Sequence, residues 1–287
     1  MKEIQHCPLC NSEDLSPFLS TQDYFGSQES FDLLKCSKCQ GLSTSPQPNE
    51  DEILPYYKSN AYISHGDQSA GIISKVYRII QNRNFHYKRK IIQKYVLNKN
   101  ILDYGCGTGH FLKYLSDLEW ETTGIEPDPR AKQQAKDKGI NITELDRLNK
   151  TYDCISLFHV LEHVHEQHST IQKLKNQLTA NGVIIIALPN YLSFDAKHYD
   201  KYWAGYDVPR HLYHFNQNTV HDLFKKFGLN IVSTHPLYYD SYYVSLLSEE
   251  YKHGKKNLLR GLYNGFTSNQ KAKKTKEYSS LIYILSQ

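Results

Sequence analysis

The stretch ILDYGCGTGHFLKYL, residues 101–115, carries three glycines at alternate positions, Gly105, Gly107 and Gly109, between an apolar run and a helix-like pattern. Glycines at a strand-to-helix turn let a ligand approach the main chain closely, and the amides of the first helical turn point at it. An acid, Asp103, stands just ahead of them. The segment therefore predicts a strand, a bare turn and a helix arranged around a small ligand.

Outward from this turn, short apolar runs alternate with helical patterns. ILDYG is followed by a helix from about residue 109, TTGIE by a helix over 129–138 and YDCISLFHV by a helix over 166–178, and GVIIIALPN closes the series. Strands alternating with helices predict an α/β fold, a mostly parallel sheet with helices on both faces. Farther on, a helix over about 218–227 ends at Gly228 and leads into the strand LNIVSTHPL; SSLIYILS follows a tyrosine-rich helical stretch as a last strand. Two strands joined by so long an excursion suit an antiparallel edge pair. Upstream, Ile72, Ile73, Val76, Ile79, Ile80, Ile91, Ile92, Tyr95 and Val96 recur near helical spacing over 70–97, with basic residues on the other face.

The glycine turn departs from the dinucleotide fingerprint. There the third glycine follows the second by three residues; here that position is His110, and the glycine comes one place earlier at Gly109. Asp103 argues the same way, because a carboxylate at a strand end repels a pyrophosphate but suits a ligand with an ammonium group, as S-adenosylmethionine has. Glu126 ends the next strand, 21 residues after Gly105. A carboxylate there can accept hydrogen bonds from both hydroxyls of a ribose, which NAD would offer as well.

The ordered set D-x-G-x-G-x-G, an acid ending the second strand, LFHVLEHV at the fourth and LPN at the fifth resembles a class I S-adenosylmethionine-dependent methyltransferase over roughly residues 70–287. The resemblance implies a Rossmann-like, seven-stranded sheet and an enzyme that uses this cofactor. It implies that Asp103, Gly105, Gly107, Gly109 and Glu126 serve the cofactor's methionine moiety, the backbone bend and the ribose. It also implies that Phe158 and His159 lie near the sulfonium. Glu162 and His163 of LEHV are expected to brace a helix start, and His165 and His168 to lie on the surface.

At 287 residues the chain is long enough for one large domain and a small module, and its net charge of +4 is too weak by itself to imply nucleic acid. The charge is unevenly spread: no acid falls between Gln68 and Leu102, which includes Lys75, or between Lys252 and Lys276. Such stretches attract phosphate on RNA, a nucleotide sugar or a lipid head group, or else form solvated helix faces. MKEIQHCPLC lacks the apolar core of a secretory signal, and Val183–Leu188 is too short to span a bilayer, so a cytoplasmic location is expected.

In a reducing compartment the pairs Cys7–Cys10 and Cys36–Cys39, with 25 residues between them, argue for a metal rather than disulfides. Four thiolates in two close pairs match a closed, structural zinc site. Residues 1–45 are therefore expected to form a zinc-ribbon module, 46–69 a linker with a short helix capped by Asn49, and 70–287 the methyltransferase-like domain. Cys106 and Cys154 read as small buried thiols within the strand framework, and His6 as a bystander.

Methyl transfer needs the partners positioned and a proton removed from a hydroxyl or carbon acid. HYDKYWAGYDVPRHLYHF is the stretch to search for a base, with His198, Asp207, Arg210, His211 and His214 among aromatic residues. It resembles the substrate loop of methyltransferases acting on sugars and other small metabolites, and His211 matches the family's active-site histidine. Deoxysugar carbon-methyltransferases, which also begin with a zinc-binding module, carry an acid where this chain has Arg210. The expected roles are His211 as general base, Asp207 as its helper and Arg210 as the ligand of a substrate phosphate or carboxylate. Tyr238, Tyr239, Tyr242 and Tyr243 read as a lid, core or stacking wall.

Three functions follow: methylation of a small, anionic metabolite such as a sugar nucleotide, methylation of RNA through the module and basic helix, or cofactor binding without turnover. A zinc ribbon precedes this fold in an rRNA guanine methyltransferase family too, with a histidine where this chain has Cys39.

Overall fold

The computed structural model describes residues 1–57 and 72–287, the side chains of 72–77 excepted. Residues 58–69 of the expected linker and the side chains of Ile72, Ile73, Lys75 and Val76 lie outside the described residues. The larger sheet is built from β4 (Asn100–Tyr104), β5 (Glu121–Ile125), β6 (Asn141–Thr143), β7 (Tyr152–Phe158), β8 (Leu178–Pro189), β10 (Asn230–Pro236) and β11 (Ser280–Ser286). Their order across the sheet is β10-β11-β8-β7-β4-β5-β6. The first five in the chain pair in parallel, and β11 runs antiparallel between β8 and β10. The antiparallel pair expected at the tail is thus present, with β11 inserted inside the edge. At three residues, β6 is too short to give a period-two signal in the sequence.

Chain order reverses beside β4, since β5 and β6 lie on one side and β7 and β8 on the other. In such sheets the crevice at the carboxyl ends of the two strands flanking the reversal is the natural ligand site. The GCGTG turn follows β4 at this point and leads into α3 (His110–Ser116). The next crossover, from β5 to β6, is made by α4 (Pro129–Asp137), which Asp128 caps through the amides of Arg130 and Ala131.

Alternate side chains of the central strands enter two cores. On one face Ile101, Cys154, Val183 and Ile185 meet Leu112, Leu115 and Trp120, together with Ile91 and Ile92 of α2 (Ile72–Ile92). Ile79 and Ile80 of α2 are 54% and 41% exposed, so among the described side chains the apolar face expected along this helix is buried toward its C-terminal end, at Ile91 and Ile92. On the other face Leu102, Ile155, Ile184 and Ile186 meet α5 (Gln167–Asn176) and α7 (Gln217–Lys225) through Ile171, Leu174, Val220 and Phe224. Between β8 and α7 lies the short helix α6 (Phe194–Tyr199), capped by Ser193.

In the smaller sheet, strands β1 (Leu15–Gln22), β2 (Ser30–Cys36) and β3 (Leu42–Ser45) belong to the N-terminal segment, whereas β9 (Tyr213–His214) comes from the loop that holds His211. The order is β1-β2-β3-β9. Leu9, Leu33 and Leu42 share one continuous core with Leu102 and Ile155. The change near residue 45 is thus a change of sheet and not a break in packing. Asn49 caps the turn before α1 (Leu54–Tyr57), its Oδ1 accepting from the amides of Asp51 and Glu52.

Candidate functional site

The three glycines are needed for different reasons. All have positive φ, at 76°, 54° and 76°. A Cβ on Gly105 would lie 2.5 Å from Val160, and one on Gly109 2.9 Å from Ala135, whereas one on Gly107 would meet nothing within 4 Å. Gly105 and Gly109 allow close packing, and Gly107 is the one whose bare backbone faces open space.

Around this turn, Glu126 accepts from the Gly107 amide at 2.8 Å and from the Asp128 amide at 2.9 Å. Asp103 is buried at 5% exposure and accepts from Ser156 Oγ at 2.6 Å. Burial raises its carboxyl to about 6, against the opposing effects of the Ser156 bond and Lys88, with Glu126 adding to the rise. Burial also raises Glu126. Two carboxyls held up by desolvation beside an open backbone form a site that a cationic ligand would relieve. S-adenosylmethionine, with an ammonium and a sulfonium, fits that donor set. The Lys88 ammonium lies 3.8 Å from the centroid of the Phe158 ring, a place where positive charge is favoured. Phe158 is braced edge-on by Phe111 at 5.5 Å.

His159 follows Phe158 with a φ of 57°. Its Nε2 lies 2.7 Å from Asp240 and its Nδ1 3.4 Å from Glu162. Burial opposes the charged ring, but Asp240 and Glu162 together hold its pKa up at about 10, so it is an imidazolium. Glu162 is wholly buried, and neither carboxylate oxygen has a hydrogen-bond partner among the described residues. Its Oε1 also lies 4.0 Å from His211 Nε2. Glu162 thus bridges the end of β7 to the loop around His211 instead of bracing a helix start.

His211 is 8% exposed. Its Nδ1 contacts the Gly205 carbonyl at 3.0 Å, and because a carbonyl only accepts, Nδ1 carries the hydrogen and Nε2 the lone pair. Burial and the neighbouring His163, with ring centroids 4.6 Å apart, push its pKa down to about 4 despite Asp207 and Glu162. His211 is therefore neutral at pH 7. Asp207 Oδ2 lies 4.0 Å from Nε2, and His163 Nδ1 contacts the Arg210 carbonyl at 2.9 Å and the Tyr57 hydroxyl at 3.1 Å. Donor atoms of Glu162, His163 and His211 also come within 4.8 Å of one another. The His159 imidazolium already meets the Glu162 charge that a metal ion would otherwise need to meet.

Arg210 does not occupy the place the sequence suggested. Its side chain is 1% exposed. Nε bonds both Asp207 oxygens at 3.0 and 3.1 Å, Nη2 bonds Asp207 at 2.6 Å and Asp23 at 2.8 Å, and Nη1 bonds the Tyr56 carbonyl at 3.1 Å. A guanidinium spent on two internal carboxylates presents no free fork to a substrate anion, so the anion-binding role is corrected to an internal ion pair. Asp207, in turn, is ionised: burial raises its carboxyl, but Arg210 and His211 hold it below the usual range.

The N-terminal segment holds this loop in place. Thr44 Oγ1 donates to the His211 carbonyl at 2.6 Å and contacts His214 Nε2 at 3.1 Å. Its four cysteines bring Cys7 Sγ to 3.5 Å from Cys39 Sγ and Cys10 Sγ to 3.5 Å from Cys36 Sγ, all four sulfurs falling within 4.8 Å. Each pair is followed by a left-handed residue, Asn11 at 60° and Gln40 at 61°, that turns the backbone back on itself. Four sulfurs at these separations can hold one tetrahedral ion with no open position. Thr219 Oγ1 donates to the Cys39 carbonyl at 2.9 Å, and Lys226 Nζ to the Leu9 carbonyl at 2.7 Å. His168 is exposed, as expected, and its ring contacts the Leu9 carbonyl at 3.2 Å; His165, expected on the surface, is half-buried, with its ring 2.9 Å from the Pro48 carbonyl, and both contacts fasten the module.

A profile of the family described as "Methyltransferase domain" matches residues 78–234, more than half of the chain. The chain belongs to that family. Among curated relatives, a ubiquinone biosynthesis O-methyltransferase of Glaesserella parasuis is 32% identical over 111 residues, 33% of this chain and 47% of the relative. A probable S-adenosylmethionine-dependent methyltransferase of Mycolicibacterium smegmatis is 23% identical over 146 residues, 47% of this chain and 54% of the relative. The chain spans about half the length of these relatives. The magnesium protoporphyrin IX methyltransferase of Synechocystis PCC 6803, solved with bound SAH, superposes with a TM-score of 0.53 at 14% identity, over 83% of this chain and 99% of that one. At that identity it shows the shared fold, a Rossmann-like methyltransferase sheet.

Lys88, Asp240, Asp23 and Thr44 were not singled out from the sequence. Lys88 had a signal in its acid-free helix and Asp240 one in opening a helix; Asp23 and Thr44 had none.

Proposed function

We propose that this chain transfers the methyl group of S-adenosylmethionine to a small-molecule nucleophile held beside His211. The observation that carries the proposal is the neutral, tautomerically fixed His211, whose Nε2 lies 4.0 Å from Glu162, itself 3.4 Å from His159, the residue that follows β7. The relative named for ubiquinone biosynthesis supports a small metabolite as acceptor.

When bound, S-adenosylmethionine supplies an electrophilic methyl on a sulfonium. Asp103 and the open Gly107 backbone would hold its amino-acid end, and Glu126 its ribose. His211 Nε2 would take the acceptor's proton, leaving the acceptor's electron pair to bond the methyl carbon as the carbon–sulfur bond breaks and the neutral thioether, S-adenosylhomocysteine, departs. Asp207 and Glu162 stabilise the imidazolium that results, and Gly205 keeps the ring in the required tautomer. Arg210 positions Asp207 without touching the acceptor. The four cysteines would hold a structural zinc ion, and Thr44 of the same segment orients the His211 loop.

The test is transfer of labelled methyl from S-adenosylmethionine into a fractionated cell extract. Label in small molecules or lipids supports the proposal. Label in RNA would overturn the acceptor class, and no transfer to any fraction would leave a cofactor-binding scaffold.

A further inference from the structure

The helix α9 (Leu258–Thr275) packs against α8 (Asp240–His253) through a rail of small residues. Gly261, Gly265, Ser268 and Ala272 are buried on it. A Cβ on Gly261 would come 2.9 Å from the Leu246 Cα, and one on Gly265 2.7 Å from the Tyr242 Cα, so the two backbones approach as closely as glycine permits. With one face committed this tightly, the opposite face would be polar in a helix that meets only water.

It is not polar. Leu258, Leu259, Leu262, Tyr263 and Phe266 are 62%, 81%, 41%, 69% and 51% exposed. At 100° per residue these five fall within an arc of about 140° on the first two and a half turns, beside the buried rail. Five large apolar side chains in nine residues form a continuous stripe, unlike the scattered apolar residues of an ordinary surface.

The surrounding charge has one sign. From residue 251 to 276 there is no acid, while Lys252, Lys255, Lys256, Arg260, Lys271, Lys273, Lys274 and Lys276 flank the stripe on both ends. Lys256 lies 3.7 Å from Glu250 and Lys271 lies over the Phe194 ring; among the described residues Arg260, Lys273 and Lys274 have no ion-pair partner. An apolar centre with a cationic rim complements an anionic bilayer, whose acyl boundary takes leucine and phenylalanine and whose head groups take lysine. An RNA backbone would reward the lysines but not three exposed leucines.

We propose that the Leu258–Phe266 face of α9 docks the protein on a membrane surface containing anionic lipid. This docking does not rest on the methyl-transfer reading. It bears on it because α8, behind α9, supplies the Asp240 that holds His159, so docking would place the site beside the bilayer.

The experiment is sedimentation of the full chain with vesicles of phosphatidylcholine alone or mixed with phosphatidylglycerol, at low and high salt. Binding to the mixed vesicles, weaker in salt and weaker still on phosphatidylcholine, is expected. Leu259→Ser with Phe266→Ser should weaken it by at least about tenfold, since both side chains lose an apolar phase to enter. Lys273→Glu with Lys274→Glu should remove the preference for phosphatidylglycerol. These residues are exposed, so unchanged melting temperatures will separate lost binding from misfolding. A Phe266→Trp variant should show a blue-shifted emission with vesicles. Wild-type protein that stays in the supernatant, or apolar variants that bind equally well, would overturn the proposal. So would a dimer that the apolar variants dissociate, or an RNA that shifts the emission of the Phe266→Trp variant while vesicles do not.

Discussion

Arg210 Nη2 lies 2.8 Å from Asp23 Oδ1, an ion pair between side chains 1% and 0% exposed that ties the loop of His211 to a turn 187 residues earlier. Asp23 also accepts from the amides of Gly26 and Ser27 at 3.1 and 2.7 Å, so the carboxylate is fixed before the arginine reaches it. Removing the cation leaves the buried Asp23 carboxylate and the mostly buried Asp207 carboxylate without their shared counter-charge. Arg210→Met should therefore destabilise the protein by about 3–5 kcal/mol, read from denaturant melts. A loss below about 1 kcal/mol would show that the pair does not hold the loop.

Asp103 makes cofactor affinity depend on pH. Its carboxyl is raised from 3.8 to about 6, chiefly by burial, so the folded state binds that proton more tightly than the unfolded one. The stability contributed by protonation is present below about pH 4 and lost as pH rises through about 6. A cationic ligand needs the opposite form. Affinity for S-adenosylmethionine should fall by up to about tenfold per pH unit below about pH 6, measured by calorimetry, and Asp103→Asn should flatten the profile. A wild-type profile that is flat from about pH 5 to 8 would exclude this role.

The glycines should separate fold from ligand. Gly105→Ala meets Val160 at 2.5 Å and should lower the melting temperature sharply. Gly107→Ala meets nothing within 4 Å, so its cost to stability is the left-handed strain of about 1–2 kcal/mol, while its methyl intrudes where a ligand would approach. Differential scanning calorimetry with and without S-adenosylmethionine should show the first variant hurt mainly in stability and the second mainly in binding.

With its pKa near 4, His211 remains in the proton-accepting form throughout the neutral range. His211→Gln should lower kcat by about 10²–10⁴-fold and leave the affinity for S-adenosylmethionine unchanged. The acid limb of kcat/KM in the wild type should carry no ionisation of this ring near 6.5, the ordinary histidine value. A variant that keeps wild-type kcat would remove His211 from the chemistry.

Metal removal should act at a distance. Chelation of the four-cysteine site, or Cys36→Ser, should release about one zinc per chain and loosen the small sheet. Because Thr44 of that sheet holds the His211 carbonyl, kcat should fall before the larger sheet unfolds, which far-UV circular dichroism followed alongside activity will resolve. Metal content that Cys36→Ser leaves unchanged would place the ion elsewhere.

Most of the larger sheet was legible because β4, β7, β8 and β11 are apolar runs set among helical patterns, and the glycine turn marked the ligand end of β4; the three-residue β6 left no such signal. The Cys7–Cys10 and Cys36–Cys39 pairs were legible for the same local reason: chemistry and spacing fall within a few residues. What escaped depends on distant partners. Nothing local distinguishes a substrate-binding arginine from Arg210, whose role is set by Asp23 beside another sheet, and nothing marks His165 and His168 as anchors until Pro48 and Leu9 lie beside them. Strand β9, two residues long, exists only because Leu42 and Ser43 present an edge to it.

That two-residue strand sets an order of assembly. The N-terminal segment leaves the ribosome first, yet the edge of β3 has no strand partner until residues 213–214 have been made. That edge closes only across about 170 residues of chain, a non-local pairing. Closure then completes both parts at once: the residues that seal the module follow His211 by two and three positions. An active loop therefore cannot mature ahead of the module that it completes.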